Sequence, residues 1–180
     1  MKHEFIDIYK RYVKREGAAE LLEWLNKQDF FLAPASSKYH LCEEAGLLKH
    51  SINVYKRLRI IYMNEKDAEL TVEEEEKIAI VALLHDVCKI NLYKQEKRED
   101  KTTYRHNDEF PYGHGEKSVF VISKFMKLTD EEAMAIRWHM GFSDNNFKAG
   151  GQEVGKAFRK YPLALMVHIA DLQATFIDEV

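Results

Sequence analysis

The sequence predicts an all-α bundle of seven or eight helices, with one small β-hairpin or flap inserted around residues 91–112. Three observations lead there. With 180 residues and 46 % of them apolar, the chain can bury about 70 % of its unfolded surface in a single domain without disulfides. Apolar side chains recur at three- and four-residue steps along most of its length, which is the helical period. Three prolines and eight glycines are too few for a turn-rich sandwich. The charged fraction of 32 % exceeds the usual quarter and suits solvated helix faces.

The elements follow in order. Phe5, Ile8, Tyr9, Tyr12 and Val13 make an amphipathic stripe over 4–14, and Gly17 interrupts it before Leu21, Leu22 and Leu25 resume over 18–26. The run 30–37 is a loop in which Pro34 closes off any helix. A third helix is expected from about Gly46 to Asn64, with Leu47, His50, Val54, Leu58 and Ile61 on one face. Thr71 with Glu74 is a capping-box pattern, and the helix behind it is apolar almost all round from Ile78 to His85-Asp86. That pattern marks the most buried helix.

Residues 92–96 and 102–106 flank a charged turn and read as the hairpin. Helices resume over 114–127 and over 130–140, the second behind another capping box of Thr129 with Glu132. The glycine- and asparagine-rich stretch 141–151 reads as a loop, followed by helices over 152–160 and 162–177. Trp138 reads as a core residue.

Composition removes some functions. The net charge of −3 leaves no global basic field, which argues against non-specific nucleic-acid coating. Cys42 and Cys88 form no CxxC pair and read as reduced thiols. The start of the chain shows no basic-then-apolar leader, and the longest apolar run, 78–84, is far short of a membrane span. A cytoplasmic protein without a membrane partner is expected, and self-association is left open.

The strong metal-ligand types stand in the order His50, His85-Asp86, His114, His139, Asp171, with separations of 35, 29, 25 and 32 residues. Each separation is about one helix plus one loop, so a bundle could deliver each ligand to a common centre. An apolar helix ending in His85-Asp86 needs a partner for both groups, because burying them unpaired costs several kcal/mol. Adjacent residues on a regular helix diverge by about 100°, so both reach one ion only at the helix end. Asp171 also sits among apolar residues and wants a cation, with a bond to His168 as its alternative. Lys89, one turn past His85, can hold an anionic oxygen nearby.

The residues His50, His85-Asp86 and Asp171 resemble the H…HD…D signature of the HD-domain metal-dependent phosphohydrolases. Leu83-Leu84-His85-Asp86-Val87-Cys88-Lys89 is similar to the LLHDxxK stretch of many members. His114 and His139 match the subset with an H…HD…H…H…D pattern. The resemblance covers 41–179, the expected metal-binding helical core, and with the N-terminal helices over 1–40 the chain reads as a single domain over 1–180. It implies that His50, His85, Asp86 and Asp171 hold one divalent ion, and that Asp86 bridges to a second held by His114 and His139. Manganese, iron or a similar ion is expected, with magnesium, nickel, cobalt and zinc open. Two dications lower the pKa of a bridging water and neutralise phosphoryl oxygens. Asp86 and Lys89 would be the catalytic residues, Lys89 by stabilising phosphoryl charge.

The expected substrate is a small nucleotide or phosphodiester, cleaved at a phosphomonoester or phosphodiester bond, with Lys89, Arg105 and Tyr112 as candidate contacts. Two glycines around His114 allow close backbone approach there. The branch called HD-GYP often has a Glu one turn before its first His and a His-His pair at the fifth position. Gly46 and Met140 stand at those positions here, and the GYP motif is absent. Two alternatives carry the same ligands: a mixed-valent di-iron oxygenase of the same fold, and a non-catalytic metal- or nucleotide-binding module.

Overall fold

The computed structural model describes residues 1–98, 101–143 and 147–180, and of 98, 101 and 147–151 the backbone alone. Eight α-helices lie among the described residues: α1 Lys2–Tyr12, α2 Ala18–Lys27, α3 Gly46–Lys66, α4 Val72–Leu84, α5 His114–Ser123, α6 Asp130–Arg137, α7 Phe147–Lys160 and α8 Pro162–Gln173. One antiparallel hairpin, β1 Tyr93–Arg98 with β2 Lys101–His106, pairs Tyr93 with His106. The chain is therefore all-α with a small insertion at the expected place. None of the described helices is long and apolar enough to cross a membrane.

Helix α4 is the axis of the bundle. Its capping box forms as expected: the Thr71 N–H donates to Glu74 Oε2 at 2.8 Å and the Glu74 N–H to Thr71 Oγ1 at 3.3 Å. Every residue from Ile78 to Leu84 is buried, with α1, α3 and α6 packed around the helix. Truncating one of these side chains, such as Ile80→Ala, would cost about 2–5 kcal/mol. The N-terminal helices share this core, because the Phe5 ring packs tilted against Phe30 with centres 5.1 Å apart and belongs to the same buried cluster as Ala174 in the last turns.

Arg15, between α1 and α2, ties three elements together. Its guanidinium donates to both oxygens of Glu132 at 2.8 Å and to Glu76 Oε2 at 3.2 Å. Glu132 is buried and also completes the capping box of α6 with Thr129. One carboxylate thus fixes a helix start and the entry to α2.

Several boundaries differ from expectation, among them α5, which ends at Ser123 rather than at 127. The loop proposed for 141–151 is shorter, since a 3₁₀ turn spans Gly141–Ser143 and α7 already begins at Phe147. The glycines at 150 and 151 are absorbed within that helix. Helix α6 ends at Arg137, three residues early, and the last helix passes at Ala174 into a π-helical turn reaching Asp178. Trp138 is only half-buried, at the end of α6, where the Arg137 guanidinium lies 3.9 Å from its ring centre.

Candidate metal centre

Five elements carry donors to one point. His50 comes from the second turn of α3, His85-Asp86 from the end of α4, His114 is the first residue of α5, His139 follows α6 by two residues, and Asp171 lies in α8. The requirement that His85 and Asp86 share a centre is met because α4 stops at Leu84. Asp86 leaves the helical region, at φ −109° and ψ 18°, and its carboxylate turns back beside the His85 ring.

Asp86 divides the centre in two. Its Oδ2 lies 3.4 Å from His85 Nε2, 3.7 Å from His50 Nε2 and 2.7 Å from Lys89 Nζ. Its Oδ1 lies 2.9 Å from His114 Nε2 and 3.5 Å from His139 Nε2. On the first side, His50 Nε2 is 3.3 Å from His85 Nε2 and 3.1 Å from Asp171 Oδ1. His168, the alternative partner of Asp171, instead bonds the His139 carbonyl at 2.7 Å.

The imidazoles are oriented from behind. His85 Nδ1 donates to the Ala82 carbonyl at 2.8 Å and His139 Nδ1 to the Ile136 carbonyl at 2.7 Å. A carbonyl only accepts, so both Nδ1 atoms carry the proton and both Nε2 atoms present a lone pair inward. His50 Nδ1 faces the carboxylate of Glu179 at 3.1 and 3.2 Å, the usual outer partner of a metal-binding histidine. His139 Nε2 is wholly buried and forms no hydrogen bond. A buried lone pair aimed at a carboxylate, and two Nε2 atoms facing each other at 3.3 Å, are arrangements that a cation satisfies and protein groups do not.

Charges show the same demand. Burial alone would raise the Asp86 carboxyl, yet Lys89, His85 and the close His114 ring hold it well below the usual range. Asp171 is likewise held down by His50 against its burial. Burial would discharge His50, but Asp171 and Glu179 push it up to about 9. Without a metal, a proton takes the cation's place on that ring. His139 is lowered, first by burial and then by the neighbouring histidines, which keeps its lone pair available. Imidazole and carboxylate donors suit a divalent metal ion, and the residues gathered here fit such a group.

The sequence comparison agrees with this geometry: a family model described as HD domain matches residues 47–174. The chain belongs to the HD domain family. Searches of curated proteins and of solved structures returned no match. HD domains form a superfamily of metal-dependent hydrolases that bind divalent metals, and the described residues include clusters that could hold such a metal: His40–His50–Glu179, His50–His85–Asp171, His85–Asp86–His139 and Asp86–Cys88–His114.

This HD domain opens the centre onto a cavity of about 620 Å³. Lys89 and Tyr93 stand on its wall, together with Tyr39, Met140, Leu172 and Phe176. The structure brings Lys89 to the centre but leaves Arg105 and Tyr112 away from it. Arg105 is exposed on β2 and pairs with Glu96 across the hairpin at 2.8 Å, because residues alternate faces along a strand. Tyr112 stacks on Phe110 at 5.4 Å and packs against Phe120, outside the cavity. The close approach expected around His114 is made not to a ligand but to α6: a Cβ on Gly115 would lie 2.2 Å from the Arg137 carbonyl oxygen. Gly46 has a similar cause, since a Cβ there would meet the Leu41 carbonyl oxygen at 2.1 Å. No Glu fits at that position.

Two residues escaped the sequence reading. The Glu179 side chain is fully buried, accepts from Asn53 Nδ2 at 3.0 Å and backs His50. His40, from the loop before α3, stacks 5.2 Å from His50 and lines the cavity. Glu179 lies beyond a π-helical turn that shifts helical phase, so periodicity from Asp171 does not project it inward. His40 sits in irregular chain where spacing carries no signal.

Proposed function

We propose that this HD domain is a phosphohydrolase that cleaves a phosphomonoester or phosphodiester of a nucleotide or short oligonucleotide. The observation that carries the reading is Lys89: a nearly buried ammonium on the cavity wall, 2.7 Å from the carboxylate that joins the two halves of the donor cluster. His50, His85, Asp86, His114, His139 and Asp171 would hold a pair of divalent ions, which would supply Lewis acidity and lower the pKa of a bound water. Burial would discharge Lys89, but Asp86 and Tyr93 raise it, so it stays protonated at any physiological pH. Its Nζ then offers a fixed cation to an anionic oxygen, which strengthens as charge grows there. Asp86, ionised throughout, holds Lys89 in place.

The remaining wall is mainly apolar and aromatic, with Tyr39 and Tyr93 as flat surfaces for a base. Lys89 is the one lysine or arginine among the described lining residues. That favours one phosphoryl group at a time over a triphosphate. The thiols of Cys42 and Cys88 are unpaired, which suits the reducing cytoplasm.

The test is phosphate release or strand cleavage by manganese-loaded protein, screened over nucleoside monophosphates, cyclic nucleotides and short oligonucleotides. Asp86→Ala should abolish turnover, and Lys89→Met should lower kcat by about 10²–10³. Full activity in Asp86→Ala sinks the proposal. Oxygen uptake by iron-loaded protein without phosphate release would move the assignment to the oxygenase.

A further inference from the structure

His114 differs from the other three histidines of the centre. The His50, His85 and His139 rings are almost completely buried, and packing holds them in place. The His114 side chain is 31 % exposed and starts its helix, so packing leaves it free to turn. The other three rings also have a fixed partner behind Nδ1: Glu179, the Ala82 carbonyl and the Ile136 carbonyl. Behind His114 Nδ1 lies the sulfur of Cys88, at 3.4 Å, whereas Nε2 is 3.9 Å from the same sulfur and 2.9 Å from Asp86 Oδ1.

The turn that carries Cys88 is itself anchored to α5. The Cys88 backbone N–H donates to Ser118 Oγ at 3.1 Å, and Ser118 is one helical turn beyond His114. Both Cys88 and Ser118 are buried. Sulfur and ring are thus held by the same helix and keep their registration. On the far side of the same carboxylate oxygen waits the unpartnered, fully buried His139 Nε2.

We propose that Cys88 is the positioning residue of His114: its sulfur accepts the Nδ1–H, fixes the tautomer and turns the Nε2 lone pair toward Asp86. The inference rests on the reading that His114 and His139 hold the second ion. Such outer partners are worth about 10–100-fold in metal affinity. A serine oxygen can accept the same N–H, whereas alanine cannot.

Cobalt(II) titration of the purified chain is the test, with proton NMR of the loaded protein. Wild type and Cys42→Ser should bind two equivalents. Cys88→Ala should weaken the second by about 10–100-fold and leave the first unchanged. Cys88→Ser should recover most of that loss. In the NMR spectrum, the shifted Nδ1–H of His114, identified by its loss in His114→Ala, should exchange with water faster in Cys88→Ala. If Cys88→Ala does not fold, Cys88→Ser and the wild-type signal still decide, because rapid exchange of that proton in wild type overturns the proposal. Unchanged affinity and exchange in Cys88→Ala overturn it too, leaving the thiol as packing. A strong near-ultraviolet sulfur-to-cobalt band in Cys42→Ser that vanishes in Cys88→Ser makes the sulfur a ligand and overturns it in another way. Two bound cobalt ions with no Cys88 effect would spare the metal-centre reading, whereas no cobalt binding at all would end both.

Discussion

The two halves of the centre are built differently although they share one carboxylate. The inner half takes His50 from a 21-residue helix, His85 from the most buried helix and Asp171 from α8, and Glu179 closes it from behind. Its donors are embedded in the core. The outer half takes His114 from a helix start, where its side chain is partly exposed, and His139 from beyond a helix end, where its ring is buried. Rigid elements make precise sites, and element ends make adjustable ones. On the proposed two-ion reading, the difference teaches that an inner ion would be held by the fold, while an outer ion would depend on local positioning.

The largest effect should come from the group both halves share. Asp86→Ala should remove metal from both positions, read as metal content near zero by elemental analysis against two equivalents in wild type. One ion retained at full affinity would show the halves to be independent. Next, His114→Ala or His139→Ala should empty only the outer position, leaving one equivalent bound; loss of both ions would break the comparison. Glu179→Gln should weaken the inner ion by about 10–100-fold, measured by competition with a chelator, because the amide backs His50 Nδ1 less well.

Smaller effects belong to the scaffold. Arg15→Ala leaves the buried Glu132 carboxylate with less compensation and should cost about 2 kcal/mol in urea unfolding, with two metal equivalents still bound. Its neighbour Glu76 adds a pH signature. Burial would raise that carboxyl, but the Lys14 and Arg15 backbone N–H groups and the Arg15 guanidinium bring it below the ordinary 4.5. A depressed carboxyl stabilises the fold above its unfolded pKa and loses that contribution as pH falls through the folded value. The stability gap between wild type and Arg15→Ala should therefore narrow below about pH 4. A gap that widens on acidification would contradict the pairing. Arg105→Ala, exposed on the hairpin, should leave metal content and kcat unchanged.

Much of this was legible in the sequence for definite reasons. The capping boxes at Thr71 and Thr129 are local chemistry, and both formed as read. That His50, His85, Asp86, His114, His139 and Asp171 come together was legible because spacing of about one helix plus loop is a topological signal. The hairpin was legible as two short runs flanking a charged stretch, but which face Arg105 takes depends on how the hairpin lies on the body. Gly150 and Gly151 misled because punctuation residues lower helix propensity without forbidding a helix. Glu179 stayed hidden behind a π-helical turn that no residue pattern announces. Arg15 joining Glu76 to Glu132 spans more than a hundred residues, beyond the reach of any local rule.

Gly115 sits where α5 crosses α6, its hydrogen pressed toward the Arg137 carbonyl. His114 is its neighbour on one strand of the crossing, and His139 follows Arg137 by two residues on the other. The gauge between the two outer imidazoles is therefore a missing methyl group. A single added carbon at 115, touching neither ligand, would wedge the helices apart and set the jaws of the outer site too wide.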